Sequence, residues 1–172
     1  MPAIRRAKIT DLHEMQNCNL WCLPENYHFN YYLYHYLSWS ELLHVTEENG
    51  QVVGYVLAKM DDEPDVEVQE AHITSLSVLR THRRLGLANK LMNYAHDAME
   101  LTQECDNVSL HVRVSNRAAL GLYKDKLKYQ IADTEIGYYA DGENAYKMRK
   151  DLVRRGFPKK APEPAAVKRD LM

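Results

Sequence analysis

Cysteine is scarce in this sequence. Cys18, Cys22 and Cys105 are an odd number and too few for a disulfide framework, and the close pair lacks the second pair that a structural zinc site needs, so free thiols are expected. Long apolar runs are missing too. The longest uncharged apolar stretch, Val52 to Ala58, is far short of the roughly 20 residues that cross a bilayer, and no charged-then-apolar leader follows Met1. Seven Gly and six Pro among 172 residues exclude a collagen-like or low-complexity chain. No ligand geometry for a metal emerges from the eight histidines. What remains is an intracellular, soluble chain with room for one core.

Charge is unevenly spread. Residues 1–152 carry 16 Lys/Arg against 22 Asp/Glu, a balance of −6, while residues 153–172 carry six basic against two acidic, a balance of +4. The body is therefore a poor match for DNA, whose phosphates need a basic face. The tail, with three prolines and no apolar period, reads as a disordered basic extension able to touch ribosomal RNA. Of 16 aromatics 12 are Tyr, clustered at Tyr27 to Tyr36 and Tyr138 to Tyr146, where they either line a groove for a polar ligand or fill an interface.

Ala3 to Arg6 reads as a strand, followed by a helix from about Asp11 to Asn19 with Thr10 as N-cap and Glu14 near the capping-box position. Pro24 breaks it, and a second helix is expected from Tyr31 to Ser40. Leu43 to Glu47 and Gln51 to Lys59 flank Asn49-Gly50 as a hairpin. The acidic run Asp61 to Glu70 is a loop, His72 to Val78 a strand, and a helix reaches Thr102 with Ala88, Leu91, Met92, Ala95 and Met99 on one face. A strand at Val108 to Val112, a helix at Asn116 to Lys126 and a closing pair at Tyr129 to Glu135 and Ala145 to Lys150 complete a mixed α+β arrangement.

The turn Arg83-Arg84-Leu85-Gly86-Leu87-Ala88 lies between strand and helix. A helix N-terminus offers unpaired N–H groups and about half a positive charge, a ready site for a pyrophosphate. The other reading is a tight turn with two surface arginines. A P-loop and a dinucleotide fingerprint are both absent. The hexapeptide, with Asn116, Ala119 and Tyr123 about 30 residues downstream, resembles the signature of the GNAT acyltransferases. Leu23-Pro24-Glu25-Asn26-Tyr27, His72-Ile73-Thr74-Ser75-Leu76, Ser109-Leu110-His111-Val112-Arg113 and Tyr138-Tyr139-Ala140-Asp141-Gly142-Glu143 are similar to the catalytic subunits of NatA-type protein N-terminal acetyltransferases, across roughly residues 1–152.

That resemblance implies a GNAT fold, a mostly antiparallel, splayed sheet of about seven strands flanked by about four helices. It implies transfer of an acetyl group from acetyl-CoA, without a metal, to the α-amino group of nascent chains. Small first residues (Ser, Ala, Thr, Gly, Val, Cys) are implied in a complex with a large helical-repeat (TPR-type) auxiliary subunit, and acidic ones for the chain alone. Contact with the ribosome through that subunit implies a cytoplasmic, ribosome-associated protein, with the nucleus as a second location, and no membrane. Acetyl-CoA is expected at Leu76, Ser77, Val78, Arg83, Arg84, Leu85, Gly86, Leu87, Ala88, Asn116 and Tyr123. The peptide is expected at Leu23, Pro24, Glu25, Tyr27, His72, Thr74, Tyr138 and Tyr139. Glu25 is the candidate base and Tyr123 the donor to the leaving thiolate, while His111 and Arg113, on one strand face by alternation, shape the site, with proton transfer open to His111. A lysine or small-amine acetyltransferase and a non-catalytic acetyl-CoA-binding subunit are the rival readings. Glu25 and Tyr139 argue against the first, and Glu25, Tyr123 and Tyr139 against the second.

Overall fold

Asn49 and Gly50 take φ of 53° and 79°, the left-handed pair that turns a two-residue hairpin with the twist of its strands. They join β2 (His44–Glu48) to β3 (Gln51–Asp61), and β1 (Ala3–Arg6) pairs with β2. The computed structural model describes residues 1–61, 68–102, 105–153 and 155. Most of the acidic run and nearly all of the basic tail lie outside them. The remaining strands are β4 (Glu70–Val78), β5 (Asn107–Arg113), β6 (Gln130–Glu135) and β7 (Ala145–Asp151). The seven-stranded sheet runs β1-β2-β3-β4-β5-β7-β6.

Among the described residues only β4 and β5 are parallel, and they pair just from Glu70–Asn107 to Ile73–Leu110. Beyond that the strands part. Thr74 sits at the point of parting: the β3 partners step from Leu57↔Ser75 to Ala58↔Ile73, so Thr74 is an extra residue bulging from β4. The fold is the splayed, mostly antiparallel α+β sheet expected from the sequence.

Helices α1 (Leu12–Cys22), α2 (Phe29–Trp39) and α3 (Leu87–Thr102) cover the sheet, burying Leu12, Met15 and Cys18 of α1 and Leu91, Met92, Ala95 and Met99 of α3. Four expectations need correction. Thr10 does not cap α1; a short 3-10 turn, Ile9–Asp11, precedes it, and Asp11 closes that turn by accepting the Lys8 N–H at 2.7 Å. Glu14 instead accepts the Val52 N–H of β3 at 2.7 Å. The first helix also runs on to Cys22, because the extended residue before proline that ends it is Leu23, with φ −129° and ψ 145°. The helix expected over residues 116–126 is α4 (Arg117–Leu120) followed by a π-helical turn, Gly121–Lys126, in which Leu127 N–H reaches back five residues to Leu122 O at 3.0 Å. That wider turn buries Tyr123 and Leu127 together.

Candidate active site

Two left-handed residues shape the turn into α3. Arg84 has φ 62° and Gly86 φ 75°, and a Cβ built on Gly86 meets nothing within 4 Å, so the space over this turn is open. Gly86 O accepts the Lys90 N–H at 3.1 Å, so the amides of Leu87, Ala88 and Asn89 open the helix without a partner inside it. Arg83, Arg84 and Leu85 are exposed alongside, and Arg83 Nε ties the turn to β4 by donating to Val78 O at 3.0 Å. Open amides, a positive helix end and two guanidinium groups fit a pyrophosphate.

The end of β4 offers a second set of backbone groups. Leu79 N–H donates to Val53 O of β3 at 2.8 Å. Successive residues of a strand direct their N–H and C=O groups alternately to either side, so Val78 and Leu76 point theirs away from β3, into the gap that β5 has left. Ser77 between them is buried. Cys22 Sγ closes one side of the gap, donating to Val78 O at 3.6 Å.

Asn116 caps α4, its Oδ1 accepting the Ala119 N–H at 3.1 Å, so this side chain has a structural duty at the mouth of the splay. Tyr123 is buried in the π turn, and desolvation pushes its phenol up to about 12. It therefore holds its proton at neutral pH.

Opposite this backbone surface stands a side-chain cluster. Arg113, at the end of β5, donates from Nε and Nη2 to Oε1 of Glu25 at 3.1 and 2.5 Å. From Nη1 it donates to Asp141 and to Glu143, each at 2.8 Å. Its guanidinium also lies 4.1 Å from the centre of the Tyr139 ring. Hydrogen bonds donated to Glu143 and Glu25 keep the guanidinium charged, and Glu143, which also accepts from Ser115, is held below the usual carboxylate range by Ser115 and Arg113. Glu25 belongs to the α1–α2 loop and Asp141 and Glu143 to the β6–β7 loop, so one arginine joins three distant segments.

Tyr27 and Thr74 meet on the other wall. Tyr27 O–H donates to Thr74 O at 3.5 Å, and its ring packs on Tyr31 at 4.8 Å. Leu23 is half-buried at the head of the same loop, while Pro24 is exposed. Tyr138 stacks on His111 at 4.4 Å and meets Tyr139 edge-on. His111 Nε2 is 3.0 Å from Glu135, and its Nδ1 is buried without a hydrogen-bond partner. His72 lies between Ser109 Oγ, 3.0 Å from its Nδ1, and the His111 ring, and desolvation lowers its pKa to about 4.

The sequence reading missed Asp141, Glu143, Glu135 and Asn19. The first two stood inside a quoted motif, where an acidic loop following two tyrosines calls for a cation, and Arg113 is that cation. Among the described residues, no group of three His, Cys, Asp or Glu is placed to hold a metal ion.

Known proteins resemble this chain over most of its length. Residues 11–129 match the acetyltransferase (GNAT) family. The chain is 61% identical over 153 residues to the N-terminal acetyltransferase A complex catalytic subunit NAA10 of Arabidopsis thaliana, covering 88% of this chain and 79% of that protein. It is 59% identical over 152 residues to the N-alpha-acetyltransferase daf-31 of Caenorhabditis elegans, covering 88% and 83%. A chain in the crystal structure of the NatC complex bound to Gag peptide and CoA superposes with a TM-score of 0.82 at 26% identity, covering 88% of this chain and 99% of that one.

Proposed function

This chain belongs to the acetyltransferase (GNAT) family, as a catalytic subunit of the N-terminal acetyltransferase A type, and from that premise we propose how its residues divide the work and which amines it serves. It is an N-terminal acetyltransferase that uses acetyl-CoA, which supplies the activated acetyl group as a thioester. The acceptor must be a neutral amine. An α-amino group has a pKa of roughly 7.7–8.0 against about 10.4 for lysine, a difference worth about 3.4 kcal/mol, so a carboxylate acting through a water is base enough.

The pairing of Glu25 with Arg113 carries this reading. Both bonds from Arg113 fall on Oε1 of Glu25, which leaves Oε2 for a water or for the ammonium itself. The competing base, His111, has Nε2 against Glu135 and Nδ1 buried, so its contribution is to hold Tyr138 in place. The Val78 N–H faces the gap where the attacked carbonyl gains negative charge. The pyrophosphate rests on the amides of residues 86–88 with Arg83, Arg84 and Leu85 around it, and the Tyr123 phenol donates to the departing sulfur. Tyr27, Tyr138, Tyr139, His72 and Thr74 line the path of the peptide, and Leu23 and Tyr27 leave room for a small first side chain.

The auxiliary partner we assign is a large helical-repeat subunit, which also brings the chain to the ribosome in the cytoplasm. Apolar side chains left exposed on the first two helices support a docking face: Leu20 and Trp21 of α1 are 58% and 73% exposed, and Tyr34 and Leu37 of α2 are 55% and 72% exposed. Peptides beginning with Ser, Ala, Asp or Glu, assayed on the chain alone and with an auxiliary subunit, test this reading. Ser and Ala should gain over Asp and Glu when the partner is present. One preference profile in both states, or turnover of lysine side chains in N-terminally blocked peptides, would overturn it.

A further inference from the structure

Two side chains of α1 reach under the Glu25 loop. Gln16 Nε2 donates to Tyr27 O at 3.2 Å, and Asn19 Nδ2 donates to Glu25 O at 3.1 Å. They are not equivalent. Gln16 is half-buried, whereas Asn19 is fully buried, in the same stripe as Met15 and Cys18. Its backbone oxygen accepts the Leu23 N–H at 2.9 Å and so ends the helix, and its Oδ1 is buried without a hydrogen-bond partner. An unmet buried acceptor of this kind destabilises by about 1–3 kcal/mol, and leucine, close to asparagine in reach, would fill the slot without it. Leucine cannot hold the Glu25 carbonyl there, nor meet the neighbouring Tyr55 hydroxyl, which lies on the sheet and not in the Glu25 loop.

We propose that Asn19 is a positioning residue for Glu25. The inference rests on the reading of Glu25 as the base. Arg113 fixes Glu25 at one carboxylate oxygen, and Asn19 fixes it at the backbone, so together they set the direction in which Oε2 points. With Asn19 gone, the loop can pivot about the Arg113 contact, and the water or amine loses its alignment. Misplacement by about 1 Å at a reacting group can lower a rate by about 10²-fold.

The test compares Asn19→Leu, Glu25→Gln and the double variant in the complex with an auxiliary subunit, using a Ser-initiated peptide. Asn19→Leu should fold with an unchanged or higher Tm and an unchanged KM for acetyl-CoA, while kcat falls by about ten- to a hundredfold. On the Glu25→Gln background the same substitution should cost less than about twofold, because residues that act through one another are not additive. Asn19→Ala stands in if leucine overpacks the slot. Wild-type kcat in both Asn19 variants beside an impaired Glu25→Gln would overturn the proposal alone, as would fully multiplicative losses. A fully active Glu25→Gln would overturn the base assignment and this proposal with it.

Discussion

The two halves of the active site are built from different materials. The side we propose for acetyl-CoA is backbone: amides at the head of α3, the outward groups of Leu76 and Val78, and the left-handed angles at Arg84 and Gly86. The side we propose for the acceptor is side chain: Glu25, Arg113, Asp141, Glu143 and tyrosines, groups drawn from the α1–α2 loop, β5 and the β6–β7 loop. Backbone recognition suits a ligand that never varies, since it tolerates most side chains provided the turn is kept. Side-chain recognition suits an acceptor whose first residue varies, and it depends on each group being held in place.

Substitutions should separate the halves. The largest effect belongs to the acceptor side: Glu25→Gln should lower kcat by about 10² to 10⁴ with acetyl-CoA binding intact, because a general base is lost. Loss of acetyl-CoA affinity in that variant would show that the halves are not separable. Gly86→Asp comes next, placing a side chain and a negative charge at the helix end, and calorimetry should show acetyl-CoA affinity weakened by about tenfold. Unchanged affinity would move the pyrophosphate elsewhere. The smallest effect is on stability. His72 has a folded pKa of about 4, below the roughly 6.5 of an unfolded histidine, so the unfolded chain binds more protons between those values and stability falls as pH drops through that window. From pH 6.5 to 5.5 this amounts to about 1 kcal/mol. His72→Phe should flatten the pH dependence of urea unfolding by that amount. An unaltered slope would mean that another group carries it.

The backbone half was legible in the sequence because its parts are neighbours: a strand, a glycine-bearing turn and an amphipathic helix read continuously from His72 to Thr102. The hairpin at Asn49-Gly50 was legible for the same reason. Glu25 and Arg113 were both named, but not their contact, since 88 residues separate them and no local pattern joins them. Asn19 stood at the expected end of the first helix, yet spacing says nothing about which carbonyl a buried amide meets. Thr10 failed as a cap because a 3-10 turn precedes α1, and in it Asp11, ion-paired with Arg5, accepts the backbone N–H of Lys8. The π turn around Tyr123 has no signature in side-chain pattern at all.

The parallel seam between β4 and β5 has a thermodynamic corollary. Four paired positions join a sub-sheet of residues 3–78 to one of residues 107–151, and the Glu25–Arg113 contact lies farther along the same opening. A substrate bound there, as we propose, would touch both sub-sheets and act as additional mortar. By mass action, a ligand that binds only the closed form at a hundred times its Kd adds about 2.7 kcal/mol to the unfolding free energy. The melting temperature of this enzyme is thus an occupancy gauge, able to rank peptides and acyl donors without a turnover being measured.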